Sequence, residues 1–299
     1  MKKVAVLFTI FNRRNVSVEA FQCIKEYKPE RLYIAADGPR AHKQGEDLKC
    51  EDTRKAVLDE INWPCEVKTL FRDENLGCAQ AMYGAISWFF EQEEWGVIIE
   101  DDVIVSQDFF KVCEELLPRY AHEEKIMEIS AQNYTPMYSE TDSFVFTNSI
   151  YCWGWASWRR AWEKMDMQLS FWPQITRRYL IRQFGIVQGL HTYSHGSKAF
   201  KSIQALNSWA FRWHLSIMYN NGVVMLAKTN LSKNIGNTTE GAHYESGEED
   251  LYQHLTIGKM LFPLVLPKDI CISREQQNAE RKDFIRIRIH GLKKKLKKL

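Results

Sequence analysis

No run of apolar residues in this 299-residue chain approaches the length of a membrane-spanning helix. No CxxC pair is present, and the seven cysteines (Cys23, Cys50, Cys65, Cys78, Cys113, Cys152 and Cys271) are odd in number and irregularly spaced. That pattern excludes a disulfide framework and a zinc-ligand set, and reads as free thiols in a reducing compartment. The N-terminus has two lysines before the short apolar run at residues 4–11. Asn12, Arg13 and Arg14 follow without a small-residue cleavage site, which excludes a signal peptide. Neither an internal repeat nor a linker-like stretch divides the chain. These absences predict a soluble, cytoplasmic protein whose main body is one domain. Overall charge is nearly absent too, with 40 Lys and Arg against 38 Asp and Glu for a net +2.

The small net charge conceals a segregation. Residues 281–299 hold nine basic residues and one acid, Asp283, so this tail carries +8 and residues 1–280 carry −6. The sequence is therefore divided at 280/281 into a slightly acidic domain and a basic tail. Ile285, Ile287, Ile289, Leu292, Leu296 and Leu299 punctuate that tail, and the last three leucines share one helical face with lysines around them. A basic amphipathic segment suits the surface of an anionic membrane and predicts a peripheral protein at the inner face of the cell membrane. A solvated tail is the plain alternative. Nucleic acid is not expected as a partner, because the acidic domain offers no broad basic face.

Hydrophobic residues at 45% and charged residues at 26% are ordinary for a globular chain with a large core. Apolar β-branched runs at residues 4–11, 31–36, 66–71 and 95–99 read as strands, and residues 16–26, 52–61 and 77–92 as helices. This alternation predicts right-handed βαβ units and a mainly parallel sheet. Further on, helices are expected at residues 176–184 and 208–220, a strand at 223–227 and a loop at 230–243. His191 and His195 read as loop residues rather than zinc ligands, since no HExxH pattern accompanies them.

Chemistry concentrates where the expected strands end. Glu100, Asp101 and Asp102 follow the strand WGVII directly. At the carboxyl end of a parallel sheet such a carboxylate cluster suits Mg²⁺ or Mn²⁺ with substrate phosphates; read alone, it is equally a solvated acidic turn. Asn12 and Arg13 follow the first strand, and a guanidinium there can pair with a phosphate or stack on a base. Asp37, after the second strand, can accept from a base ring N–H or serve its own turn. Arg72 and Asn75 precede the helix at 77–92, whose N-terminus suits an anion or a sugar diphosphate.

In this order, FNR (residues 11–13), ADG (36–38), RDENLG (72–77) and VIIEDDVIVSQDFF (97–110) resemble the nucleotide-diphospho-sugar glycosyltransferases of the GT-A fold. The likeness is to bacterial surface-polysaccharide transferases and, more distantly, to the animal N-acetylglucosaminyltransferase that starts complex N-glycan branching. It continues through CWGWASWRRAWEKMD (152–166), NSWAFRW (207–213) and NLSKNIGNTTEGAHY (230–244), spanning residues 3–245.

The resemblance implies an α/β, Rossmann-like GT-A domain and transfer of a sugar from a nucleoside-diphosphate sugar to a hydroxyl of a glycan or glycolipid acceptor. Thr9, Phe11 and Arg13 would line the nucleotide pocket and Asp37 would read the base. Asp101 would face the ribose or diphosphate, and Asp102 and His243 would hold Mn²⁺ or Mg²⁺. Trp153, Gly154 and Trp155 would lie beside the transferred sugar, leaving Trp158 and Trp162 to packing. Relatives carry an Asp where this chain has Ala210. An inverting transferase then needs a base from elsewhere, Glu240 first, with Asp250 and Glu245 behind it; a retaining one needs none. A nucleotidyltransferase and a catalytically inactive sugar-binding protein are the alternative functions.

Overall fold

The computed structural model describes residues 2–136, 142–236 and 255–297. In its first half, strands and helices alternate as β1 (Val6–Ile10), α1 (Arg14–Tyr27), β2 (Arg31–Ala36), α2 (Glu46–Asp59), β3 (Glu66–Phe71), α3 (Cys78–Phe90) and β4 (Trp95–Glu100). Every residue of β1 is buried. A strand covered on both faces reads as a continuous apolar run, which is the pattern VLFTI shows. The second half adds β5 (Val103–Val105), α4 (Gln107–Arg119), β6 (Ile126–Ser130), β7 (Phe144–Thr147), β8 (Trp155–Trp158) and the single turn α5 (Arg159–Trp162). It closes with α6 (Arg177–Phe184), α7 (Ile186–Lys201), α8 (Trp209–Tyr219), β9 (Val223–Ala227), β10 (Ser232–Asn234) and α9 (Arg274–Lys297).

Eight strands form one sheet in the order β3-β2-β1-β4-β8-β6-β9-β7. The block β3-β2-β1-β4 is parallel, β8 runs antiparallel between β4 and β6, β9 is parallel to β6, and β7 closes the far edge antiparallel to β9. The molecule is thus mixed α/β with a mostly parallel central sheet flanked by helices. The chain moves outward from β1 to β2 and β3, then returns to place β4 on the other side of β1. That reversal opens a crevice beyond the carboxyl ends of β1 and β4, where an α/β sheet holds its ligands. A short ribbon, β5 against β10, pairs Val105 with Ser232 and Val103 with Asn234 just past β4.

Three regions depart from the sequence reading, and the first is the expected loop at 230–243, which contains β10. His191 and His195 lie within α7, not in a loop. Gly189 and Gly196 within this helix serve close packing. A Cβ on Gly189 would come within 2.7 Å of the backbone of Ile181, and one on Gly196 within 2.0 Å of the Trp172 ring. The basic tail is likewise not separate from the domain. Helix α9 starts at Arg274, ahead of the expected 280/281 division, and Gln276 is fully buried. Within it the Glu280 carboxylate accepts from Thr147 Oγ1 at 2.8 Å, Ser149 Oγ at 2.7 Å, Tyr151 OH at 2.9 Å and Gln276 Nε2 at 3.0 Å. A buried carboxylate satisfied by four donors fastens the start of the helix to the end of β7.

Candidate functional site

Because β1 and β4 are adjacent and in register, with Thr9 opposite Glu100, the segments that follow them meet. Arg13 Nη2 donates to Asp101 Oδ1 at 2.5 Å and to Asp102 Oδ2 at 3.0 Å. Ser17 Oγ, one turn into α1, approaches Asp101 Oδ2 at 3.4 Å. Burial works against the Arg13 charge, but Asp101 and then Asp102 outweigh it and raise the guanidinium pKa. The Glu100 carboxyl is pushed up to about 8, first by burial and then by Asp102 and Asp101. The same negative field reaches Cys78 at the start of α3, whose thiol rises to about 12 through desolvation, Glu100, Asp37 and Asp102. Ile235 N donates to the Asp102 carbonyl at 2.7 Å, so the segment after β10 lies over the acidic turn.

Asp37 also sits at this edge, but its carboxylate is already engaged. Gly38 N donates to Oδ1 at 3.0 Å, Leu76 N to Oδ1 at 3.0 Å, Gly77 N to Oδ2 at 3.1 Å and Asn75 Nδ2 to Oδ2 at 2.9 Å. The expected base reader thus ties the loop after β2 to the loop after β3. Asn75 donates a second time, to the Gly38 carbonyl at 2.9 Å. In the first turn of α3, Ala79 N donates to Asn207 Oδ1 at 2.9 Å. One donor of the helix N-terminus expected to take an anion is thus engaged within the protein. Arg72 does not stand at that N-terminus either. Its guanidinium lies against Gly84, midway along α3, where a Cβ would come within 2.6 Å of Nη2.

Thr9 is buried in β1 between Ala35 and Glu100. Phe11 lies under the Arg40 guanidinium, 5.5 Å from ring centroid to Cζ. Arg40 is ion-paired with Glu46, and Glu46 Oε1 also accepts from Asn12 Nδ2 at 2.9 Å. Sequence reasoning missed this brace, as it missed Arg54, whose Nη2 donates to the carbonyls of Asp37 at 3.1 Å and Arg72 at 2.6 Å. Asn12 lies within the FNR motif; nothing local marks Arg40, Glu46 or Arg54.

The aromatic loop divides. Trp153 is partly buried, its ring 5.5 Å from Tyr134 in an edge-on contact. Gly154 has φ +79°, and a Cβ there would come within 2.3 Å of Val105 Cγ1, so only glycine suits this turn. Trp155, expected beside the sugar, belongs to the core. It opens β8 between two neighbouring strands, is fully buried, and packs against Trp162, Trp209 and Trp213 with centroids 5.5 Å away for Trp209. No face of its indole is open for a sugar to stack on. Trp158 and Trp162 are buried as expected. Ala210 packs on α8 against the core. Glu240, His243, Glu245 and Asp250 lie outside the described residues.

Among the described residues, no three His, Cys, Asp or Glu side chains group as a complete metal site. The acidic turn nevertheless fits an oxygen-preferring divalent cation. Arg13 bonds two of the three clustered carboxylates, Asp101 and Asp102, and Gly236 lies close against Asp102, where a Cβ would come within 2.2 Å of Oδ2. Mg²⁺ and Mn²⁺ are commonly held by one or two carboxylates, with water and substrate phosphates completing the shell. Asp102 is the carboxylate that would hold it.

No protein-family model and no curated protein matches the chain. Among solved structures it is similar to HddC from Yersinia pseudotuberculosis, at 14% identity and a TM-score of 0.34 over 58% of this chain and 87% of that one. It is similar to a UDP-glucose pyrophosphorylase complexed with UDP-glucose, at 11% identity and 0.31 over 55% and 79%. The glycosyltransferase GlyE of Streptococcus pneumoniae TIGR4 aligns at 11% identity and 0.29, over 69% and 52%. Likenesses so distant carry no argument about activity.

Proposed function

We propose that this chain is a metal-dependent glycosyltransferase that takes a nucleoside-diphosphate sugar and passes the sugar to a hydroxyl of a surface glycan or lipid-linked acceptor. The observation that carries the reading is the meeting of Arg13 with Asp101 and Asp102 in the crevice beyond β1 and β4. Arg13 opposes the upward push that burial exerts on the Asp101 carboxyl and bonds both aspartates, so that the Asp102 carboxylate is held at the rim. A bound Mn²⁺ or Mg²⁺ would neutralise charge on the departing diphosphate. Phe11, braced by Arg40, and Trp153 supply aromatic surface on which a base or a sugar can pack. Asp37 contributes by fixing the two loops that wall the crevice.

The test is release of nucleoside diphosphate from a panel of nucleotide sugars with Mn²⁺, wild type against Asp102→Ala. Turnover by the wild type should fall by about two to three orders of magnitude in the variant, matching several kcal/mol of lost charge stabilisation. An Asp102→Ala variant as active as wild type refutes the metal role. Release of pyrophosphate from a nucleoside triphosphate and a sugar phosphate would identify a nucleotidyltransferase instead. Tight nucleotide-sugar binding without turnover would identify a binding protein.

A further inference from the structure

Helices α7 and α9 lie side by side and run in the same direction. Arg281 Nη2 donates to the Gln183 carbonyl just ahead of α7, at 2.9 Å, and further along the Phe284 ring sits 5.3 Å from that of His191, which Arg288 also contacts. Their outward sides carry aliphatic side chains in water: Ile186 is 68% exposed, Val187 50% and Leu190 44% on α7, with Ile285 at 40% and Ile289 at 47% on α9. Val187 and Leu190 are three residues apart and Ile285 and Ile289 four, so each pair lies along one stripe of its helix.

The charge around these residues is mainly basic, and Asp283 of α9 is ion-paired with Arg286 at 2.7 Å. No Asp or Glu occurs anywhere from residue 167 to 239, a stretch that includes all of α6, α7 and α8. The exposed stripe of α7 runs on from its apolar start to Lys198 and Lys201, and that of α9 is bounded by Lys282 and Lys293. Of the acids in α9, Glu280 is spent inside the protein on Thr147, Ser149 and Tyr151. That anchorage presents the stripe on a fixed helix. Among the described residues no helix is long and apolar enough to cross a membrane.

From this juxtaposition we infer that the joint face of α7 and α9 is a docking surface for an anionic lipid bilayer, with the aliphatic side chains entering the interface and the lysines meeting phosphate headgroups. Lipid is the occupant that uses both chemistries at once. A nucleic acid would use the cations but leave five aliphatic side chains in water. A second copy of the chain would have to press two faces of like charge together. The surface is built by the domain as much as by the C-terminal helix, and the inference does not depend on the transferase reading.

The test uses the full-length protein and sedimentation with vesicles of phosphatidylcholine, with and without phosphatidylglycerol. Wild type should bind only the anionic vesicles, and lose them at ~0.5 M salt as the charges are screened. Val187→Ser with Leu190→Ser, on α7 and outside the basic tail, should weaken binding by about tenfold or more at an unchanged melting temperature. Lys282→Glu with Lys293→Glu should do the same through charge. Wild type that ignores anionic vesicles, an α7 variant that binds as tightly as wild type, or stronger binding to an RNA oligonucleotide than to vesicles would each overturn the proposal. Loss of nucleotide-sugar turnover with vesicle binding intact would bear on the transferase reading alone.

Discussion

Replacing Arg13 by Met removes, among the described residues, the only guanidinium bonded to Asp101 and Asp102 while keeping much of the aliphatic stem. The arginine side chain is 14% exposed, those of Asp101 and Asp102 are 10% and 19%, and the contacts are 2.5 Å and 3.0 Å. Water cannot replace the lost partner well at that depth. Breaking a buried pair by removing one member costs about 3–5 kcal/mol, mostly from the stranded charge. Urea unfolding at neutral pH should therefore show Arg13→Met less stable by that amount. The origin of the loss is testable in a cycle with Asp101→Asn. In that background the buried charge is gone, and the same Arg13→Met change should cost less by about 2 kcal/mol or more. A divalent cation should stabilise Arg13→Met more than wild type, because the competing guanidinium no longer occupies Asp102. A loss under about 1 kcal/mol, or an equal loss in both backgrounds, would refute the reasoning that Arg13 compensates a buried acidic turn.

Three further outcomes are expected. Glu128 accepts from Trp213 Nε1 at 2.8 Å and from Tyr151 N at 3.2 Å, yet burial pushes its carboxyl up to about 8 from an ordinary value of 4.5. The folded state then holds a proton that the unfolded chain gives up first, so this stability is full below about 4.5 and is lost as pH rises through about 8, a change on the order of a few kcal/mol. Denaturation at several pH values should show that slope flattened in Glu128→Gln; an unchanged slope would assign it to another group. Asp37→Asn puts an amide NH₂ against donor N–H groups of the Leu76–Gly77 turn or Asn75, and thermal unfolding should register about 1–3 kcal/mol. Were nucleotide binding lost at unchanged stability, Asp37 would be a ligand contact rather than a loop brace. Gly154→Ala adds a methyl within 2.3 Å of Val105 Cγ1 at φ +79°, and a soluble variant of wild-type stability would contradict that geometry.

Much of the parallel half was legible from residue order. The runs RLYIAA and EVKTLF form β2 and β3 at the residues expected, and WGVII forms β4 with Glu100 added. Apolar periodicity and the turn after Ala36 are properties of a few consecutive residues. The acidic turn and Arg13 were visible for the same reason, since each directly follows an apolar strand. The second half was harder to read. The run WASW is too short to reveal that it would be inserted antiparallel between β4 and β6, and that insertion is what buries Trp155. Gly189 and Gly196 carry the local signature of a loop, while their use is to let α6 and Trp172 approach α7.

The sequence by itself determined the strands and helices of the parallel half, where carboxylates and guanidinium stand at strand ends, and that the positive charge collects late in the chain. Tertiary structure alone decided their pairings. Arg13 meets Asp101 across 88 positions, Asn207 bonds Ala79 across 128, and Glu280 bonds Tyr151 across 129. It also decided that Asp37 serves its neighbouring loop and that the basic helix is an anchored part of the domain. The physical reason is that backbone preference and amphipathic periodicity act over a few residues. A side chain's partner, its burial and hence its charge state depend instead on sheet order and helix packing, which no short stretch of the chain contains.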